Sequence, residues 1–126
     1  MKYRYSRRTS CTIEERVRAK AVELVLDGYS DKAFILLSDF YRIPPPRVRI
    51  GVKGSYKALG CYDPARRLIC FRDSDTYKNP FIALHEFYHH LRSVPGTHRG
   101  TERHADTYAL MSIEYYRRGC HLSNNT

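Results

Sequence analysis

The chemistry of this chain centres on His85-Glu86-Phe87-Tyr88-His89, which places two imidazoles four residues apart with a carboxylate between them. Residues four apart in a helix stand one turn apart on one face, so the two rings can converge on a single ion, about 2 Å from each nitrogen. Glu86 directly follows His85 and therefore falls beside that ion, where it can take a proton from a water activated there. The surrounding residues Phe81, Ile82, Ala83, Leu84, Phe87 and Leu91 are apolar. Two histidines and a glutamate in such a helix are costly unless they are coordinated or hydrogen-bonded. The bland alternative is a pair of core histidines with ordinary hydrogen bonds.

A catalytic zinc needs a third protein ligand and an open position for water. Glu102, thirteen residues beyond His89, is the expected third ligand, because Pro95-Gly96 breaks the helix and lets the next one fold back. Asp106 lies one turn further on the same face and can accept the second ring N–H of His85, fixing its orientation. Ala105 and Ala109 are small enough for the two helices to approach closely. His104 and Asp106 are rival third ligands, and Glu102 has the alternative role of complementing its own helix dipole. His90 faces elsewhere, toward the core or solvent, and His98 lies in the loop.

The pattern His85-Glu86-x-x-His89 followed by Glu102-x-x-Ala105-Asp106 resembles the gluzincin branch of zinc metallopeptidases. In size and element order the chain is similar to minimal forms, the archaeal minigluzincins and the ImmA/IrrE-type peptidase domains. The resemblance is firmest over residues 80–110 and says nothing of 1–11 or 120–126. It implies a zincin-like fold with a mixed sheet above the active-site helix. It also implies zinc on His85, His89 and Glu102, Glu86 as general base and acid, and Asp106 behind the ligands. A peptide or protein substrate would pair as an extended strand with the sheet edge, placed here on residues 56–62. The metzincin pattern is disfavoured, because Arg92 and Pro95 stand where it requires Gly and a third His. The oxyanion-stabilising groups of larger gluzincins have no clear match; His104, Tyr108, Tyr116 and Arg99 are candidates by residue type. The implied activity is endopeptidase hydrolysis, held latent if a terminal segment covers the cleft.

These residues must be positioned by the rest of the chain. Thr12 and Glu15 form a capping box ahead of a helix with Ile13, Val17, Ala21, Leu24 and Val25 inward, ended by Gly28. Ser30 is expected to cap a second helix over about 31–42, with Ala33, Phe34, Leu37 and Tyr41 inward, stopped by Pro44, Pro45 and Pro46. Period-two alternation then predicts strands at 48–52, 56–62 and 68–72, with Asp63-Pro64-Ala65 turning between the last two. Residues 73–79 read as a polar loop. Asn79 and Pro80 open the active-site helix, about 80–92. Thr101 opens the glutamate helix, about 102–118, with Ala105, Ala109, Ser112 and Tyr116 inward and Gly119 closing it. The order α-α-β-β-β-α-α is an α+β domain, with a small three-stranded or larger mixed sheet.

At 126 residues the chain suits a single domain, with 1–11 and 120–126 expected as flexible tails. No apolar run reaches membrane-span length, and the basic N-terminus has no apolar core behind it, so the expected location is cytoplasmic. The net charge of +9, with sixteen arginines, attracts acidic proteins and nucleic acid. Lys2, Arg4, Arg7 and Arg8 alternate with Tyr3 and Tyr5, a pattern open to phosphate contact and stacking, or simply a solvated tail. A nucleic-acid-binding or regulatory protein with weak or no peptidase activity is thus the alternative function. The absence of Gln and the scarcity of Asn have a slight thermophile character. Cys11, Cys61, Cys70 and Cys120 form no C-x-x-C pair. Cys61 can face Cys70 across a hairpin, and Cys11 can meet Cys120. All four are expected as thiols in an ordinary cytosol, with disulfides credible in a hyperthermophile.

Overall fold

The computed structural model describes residues 10–51, 59–96 and 100–122. Among these residues it is a mixed α+β fold of five helices and one three-stranded sheet. Helix α1 spans Ile13–Leu26, α2 Ser30–Tyr41, α3 Ser74–Tyr77, α4 Pro80–Ser93 and α5 Glu102–Arg117. The strands are β1 Arg47–Ile50, β2 Gly60–Asp63 and β3 Leu68–Phe71.

Local signals set most of the helix boundaries. The Thr12/Glu15 capping box is formed reciprocally at α1, and Gly28 takes the left-handed conformation (φ +90°) just past its end. Asn79 Oδ1 accepts the N–H groups of Phe81 and Ile82 at the start of α4, with Pro80 as its first residue. Ser30 does not cap α2. It lies inside the helix, fully buried, and its hydroxyl donates to the Tyr77 carbonyl, tying α2 to α3. Residues 74–77, expected as loop, form a single helical turn because Asp73 and Thr76 build their own capping box. The Thr76 N–H holds the Asp73 carboxyl below the usual carboxylate range.

The sheet order is β1-β3-β2, with β1 parallel and β2 antiparallel to the central β3. The chain therefore passes over the position beside β1 and returns to fill it with β3, an order that strand patterning does not encode. The pairing Cys61↔Cys70 places those cysteines opposite each other, as the hairpin reading required. Residue 52 of the first expected strand and residues 56–58 of the expected edge strand lie outside the described residues.

The core lies between the sheet and helices α1, α2, α4 and α5. Phe34 of α2 stacks on both Phe71 of β3 and Phe87 of α4, at centroid separations of 6.3 and 5.8 Å. On α1 the buried side is Val17, Ala19, Ala21, Val22 and Val25, while Ile13 is exposed and Leu24 half-buried. On α5 the buried side is Ala105, Tyr108, Ala109, Ser112 and Tyr115; Tyr116, expected inward, is exposed. The contact with α1 explains this rotation: Arg18 donates to Ser112 Oγ and to the Tyr108 carbonyl, and its guanidinium lies 3.9 Å over the Tyr108 ring. The inner ends of the two expected tails are anchored, because Cys11 and Cys120 form a disulfide. Among the described residues no helix is long and apolar enough to cross a membrane.

Candidate metal centre

Helix α4 presents His85 and His89 on one face as its 3.6-residue period requires, with ring centroids 5.1 Å apart. His89 is 1% exposed and His85 is partly buried. The opposing carboxylate comes from α5, which packs more extensively on α4 than on any other element. Two features of the sequence bring it there. Thr101 caps α5 by accepting the His104 N–H. Gly100, immediately before it, adopts φ +79° with its Cα against the side chain of Tyr88. A Cβ at that position would lie 2.6 Å from Tyr88 Cε2 and 3.1 Å from Arg92 Cγ, so only glycine allows this approach. The fully buried Ala105 and Ala109 keep the rest of α5 close.

The result is a convergence of donors. Glu102 Oε1 lies 2.8 Å from His85 Nε2, and Glu102 Oε2 lies 3.0 Å from His89 Nε2. On the other side of the ring, His85 Nδ1 lies 2.9 Å from Asp106 Oδ1. A neutral imidazole donates through one nitrogen only. If His85 Nδ1–H donates to Asp106, its Nε2 turns a lone pair toward Glu102, and that contact needs a proton or a cation between the two atoms. The ligand atoms of His85, His89 and Glu102 lie within 4.8 Å of one another and can hold a metal ion. Tetrahedral ligands about 2.0–2.1 Å from zinc are roughly 3.3 Å apart. The two nitrogen–carboxylate distances are shorter than that by a few tenths of an ångström, and Glu102 is the most solvent-exposed member of the set. Of the rival third ligands, Asp106 sits behind His85, and the exposed His104 directs Nδ1 to Thr101 Oγ1 at 2.9 Å.

Glu86 is buried beside this group, on the side toward the sheet. Gly60, the first residue of edge strand β2, lies directly over α4. A Cβ there would come within 2.8 Å of Ile82 Cγ2, 3.2 Å of the Cys70 carbonyl oxygen and 3.5 Å of Glu86 Cγ. The sequence reading did not single out Gly60 or Gly100. A glycine opening a strand and a glycine before a helix cap were the available signals of close backbone approach.

His90 faces away from the triad, as expected, and takes a defined structural part. It is fully buried; its Nε2–H donates to the Pro44 carbonyl, and the Tyr62 hydroxyl donates to its Nδ1, each at 2.8 Å. Ser93 in turn donates to the Tyr62 oxygen. These bonds fasten α4 to β2 and to the proline connector. The ring stays neutral because burial lowers its proton affinity.

Of the four oxyanion candidates, the three that are described are not gathered at the triad. The Tyr108 hydroxyl pairs with Tyr41, which donates to Glu14, within the α1–α2–α5 packing. Burial pushes the Tyr108 phenol up to about 12. Tyr116 stands fourteen residues beyond Glu102 on α5, about 21 Å at 1.5 Å per residue. There it lines a separate cavity with Lys20, Glu23 and His121. His104 points to its own helix cap, and Arg99 lies outside the described residues. The only other cluster of metal-binding residue types among the described residues, Cys11, Glu15 and Cys120, has both sulfurs joined in the disulfide.

Comparison of the chain with protein-family models, with curated proteins and with solved structures finds no match.

Proposed function

We propose that this chain is a zinc-dependent metallopeptidase of the gluzincin type, a minimal zincin-like endopeptidase. The observation that carries the reading is the junction of α4 and α5. Two imidazole nitrogens meet one carboxylate there, a second carboxylate backs one of the rings, and a buried glutamate adjoins them. His85, His89 and Glu102 would hold the ion. Zinc bound there supplies Lewis acidity, lowering the pKa of a coordinated water toward neutrality and polarising a carbonyl. Asp106 holds the His85 tautomer with Nε2 directed at the ion. Glu86 takes a proton from the attacking water and passes it to the leaving amine. Gly60 of β2 stands over the buried Glu86. Among the described residues β2 is an edge strand, and its outer side would pair with an extended peptide near Glu86.

Metal analysis of protein purified without chelators tests the first half: one zinc per chain is expected, lost in His85→Ala, His89→Ala and Glu102→Ala. Cleavage of a peptide library tests the second. Glu86→Gln should retain zinc and lose turnover, and cleavage by that variant at the parent rate would remove Glu86 as the base. Absence of stoichiometric zinc would sink the whole reading.

A second reading, a nucleic-acid-binding or regulatory protein with weak peptidase activity, draws on one observation. Arg47 and Arg49 of edge strand β1 are exposed and have no ion-pair partner among the described residues. A salt-dependent gel shift in the absence of peptide cleavage would favour it.

A further inference from the structure

Cys61 and Cys70 are directly opposed across the β2–β3 ladder, so their side chains neighbour each other on one face of the sheet. The spacing between them follows from the ladder. Arg72 N–H donates to the Leu59 carbonyl at 3.0 Å, which marks Leu59–Arg72 as a hydrogen-bonded pair. Pairs alternate along an antiparallel ladder, so Cys61–Cys70, two residues on, is again hydrogen-bonded, with Cα atoms about 5.5 Å apart. That Cα spacing lies in the range disulfides adopt, and closing the bond draws the two Cβ atoms inward from the wider separation of a hydrogen-bonded pair. The two sulfurs differ in access, because Cys61 is half-buried and Cys70 is buried. Both are free thiols in a chain whose other two cysteines are already joined.

We propose that Cys61 and Cys70 form a redox-active dithiol site, oxidised to a cross-strand disulfide by small-molecule disulfides of the glutathione class. The more accessible Cys61, as thiolate, attacks one sulfur of the oxidant. A mixed disulfide forms and one small thiolate leaves. Cys70 then loses its proton and attacks Cys61 Sγ, breaking the mixed disulfide and releasing the second small thiol. In sum, two protein thiols and one small disulfide give one protein disulfide and two small thiols, with two electrons passing to the oxidant. Burial, aided by the neighbouring thiol, pushes the Cys70 thiol up to about 11, so the second step is the slow one. The cross-link would fasten edge strand β2 immediately beside Gly60, the residue that covers Glu86. The site itself stands whether or not the histidine–glutamate group holds a metal.

The test uses the whole chain, incubated with oxidised glutathione, quenched by alkylation and digested with trypsin. Arg66 and Arg67 separate the two cysteines, so the fragments carrying Cys61 and Cys70 stay together only through the new bond. The linked fragments should exceed the Cys61–glutathione adduct by roughly tenfold or more, because the resolving thiol is held in place. Cys70→Ser should stop the reaction at a stable adduct on Cys61, and Cys61→Ser should leave Cys70 unmodified. Phenylarsine oxide, which bridges only neighbouring thiols, should protect both cysteines from alkylation. A persistent adduct on Cys61 beside an alkylatable Cys70 in the parent chain would overturn the proposal, as would indifference of both thiols to the oxidant.

Discussion

Replacing Asp106 by Ala separates orientation of a ligand from ligation itself. Asp106 Oδ1 lies 2.9 Å from His85 Nδ1 and touches neither His85 Nε2 nor His89 Nε2, so it acts through the ring. Its carboxylate fixes the tautomer that leaves Nε2 free and raises the basicity of that nitrogen. Removing such a partner typically weakens metal binding 10–100-fold, or about 1.4–2.7 kcal/mol. The side chain is half exposed, so its pairing adds little to the fold, at most about 1 kcal/mol. Asp106→Ala should therefore bind zinc 10–100-fold more weakly while the metal-free protein melts within a few degrees of the parent. Asp106→Asn keeps an acceptor for the ring N–H and should lose less. Competition against a chromophoric chelator gives the affinities, and a thermal melt in excess chelator gives the reference. Zinc affinity within twofold of the parent in Asp106→Ala would refute the orienting role. An equal loss in both variants would show that charge, rather than tautomer, is what Asp106 contributes.

Gly60→Ala places a methyl group 2.8 Å from Ile82 Cγ2 and 3.2 Å from the Cys70 carbonyl, so β2 must lift off α4. A destabilisation of about 1–3 kcal/mol in urea melts is expected, and an unchanged midpoint would contradict the close approach. The disulfide Cys11–Cys120 closes a loop with a sequence separation of 109. Its removal in Cys11→Ala/Cys120→Ala should cost roughly 2–5 kcal/mol, on the order of 10–20 °C in melting temperature. A shift under 2 °C (roughly the error of the melt) would count against that stabilisation. The alkaline limb of stability should report on Tyr108. Its folded pKa of about 12 lies above the ordinary value of 10, so the unfolded chain loses its proton first and stability falls as pH rises from 10 toward 12. The loss should total roughly 2–3 kcal/mol for this group and shrink in Tyr108→Phe; an identical pH profile in that variant would reject the assignment.

The parts of the site that were legible in the sequence are those that short-range geometry dictates. Two histidines four apart share a helix face wherever the helix lies, and Asn79-Pro80 and Thr12-x-x-Glu15 start helices through bonds to their own neighbouring N–H groups. The place of Asp106 behind His85 followed once α5 was set against α4, because Glu102 and Asp106 are also one turn apart. The misread positions are those whose surroundings come from elsewhere in the chain. Tyr108 looked available for chemistry until α1 and α2 supplied Arg18 and Tyr41 to it. Tyr116 was placed inward until Arg18 drew the Tyr108–Tyr115 side of α5 toward α1. Ser30 read as a cap until the Tyr77 carbonyl took its hydroxyl.

The chain by itself determined the helix faces, the caps and the spacing of His85, Glu86 and His89, because each depends on backbone bonds within a few residues. Tertiary structure decided the rest: the β1-β3-β2 order, the seating of Gly60 over Glu86, the meeting of Cys11 with Cys120, and the approach of Glu102 to two imidazoles. Those features join segments far apart along the chain. They form only where burial of a shared apolar core, such as the Phe34–Phe71–Phe87 stack, outweighs the entropy of closing the loops between them.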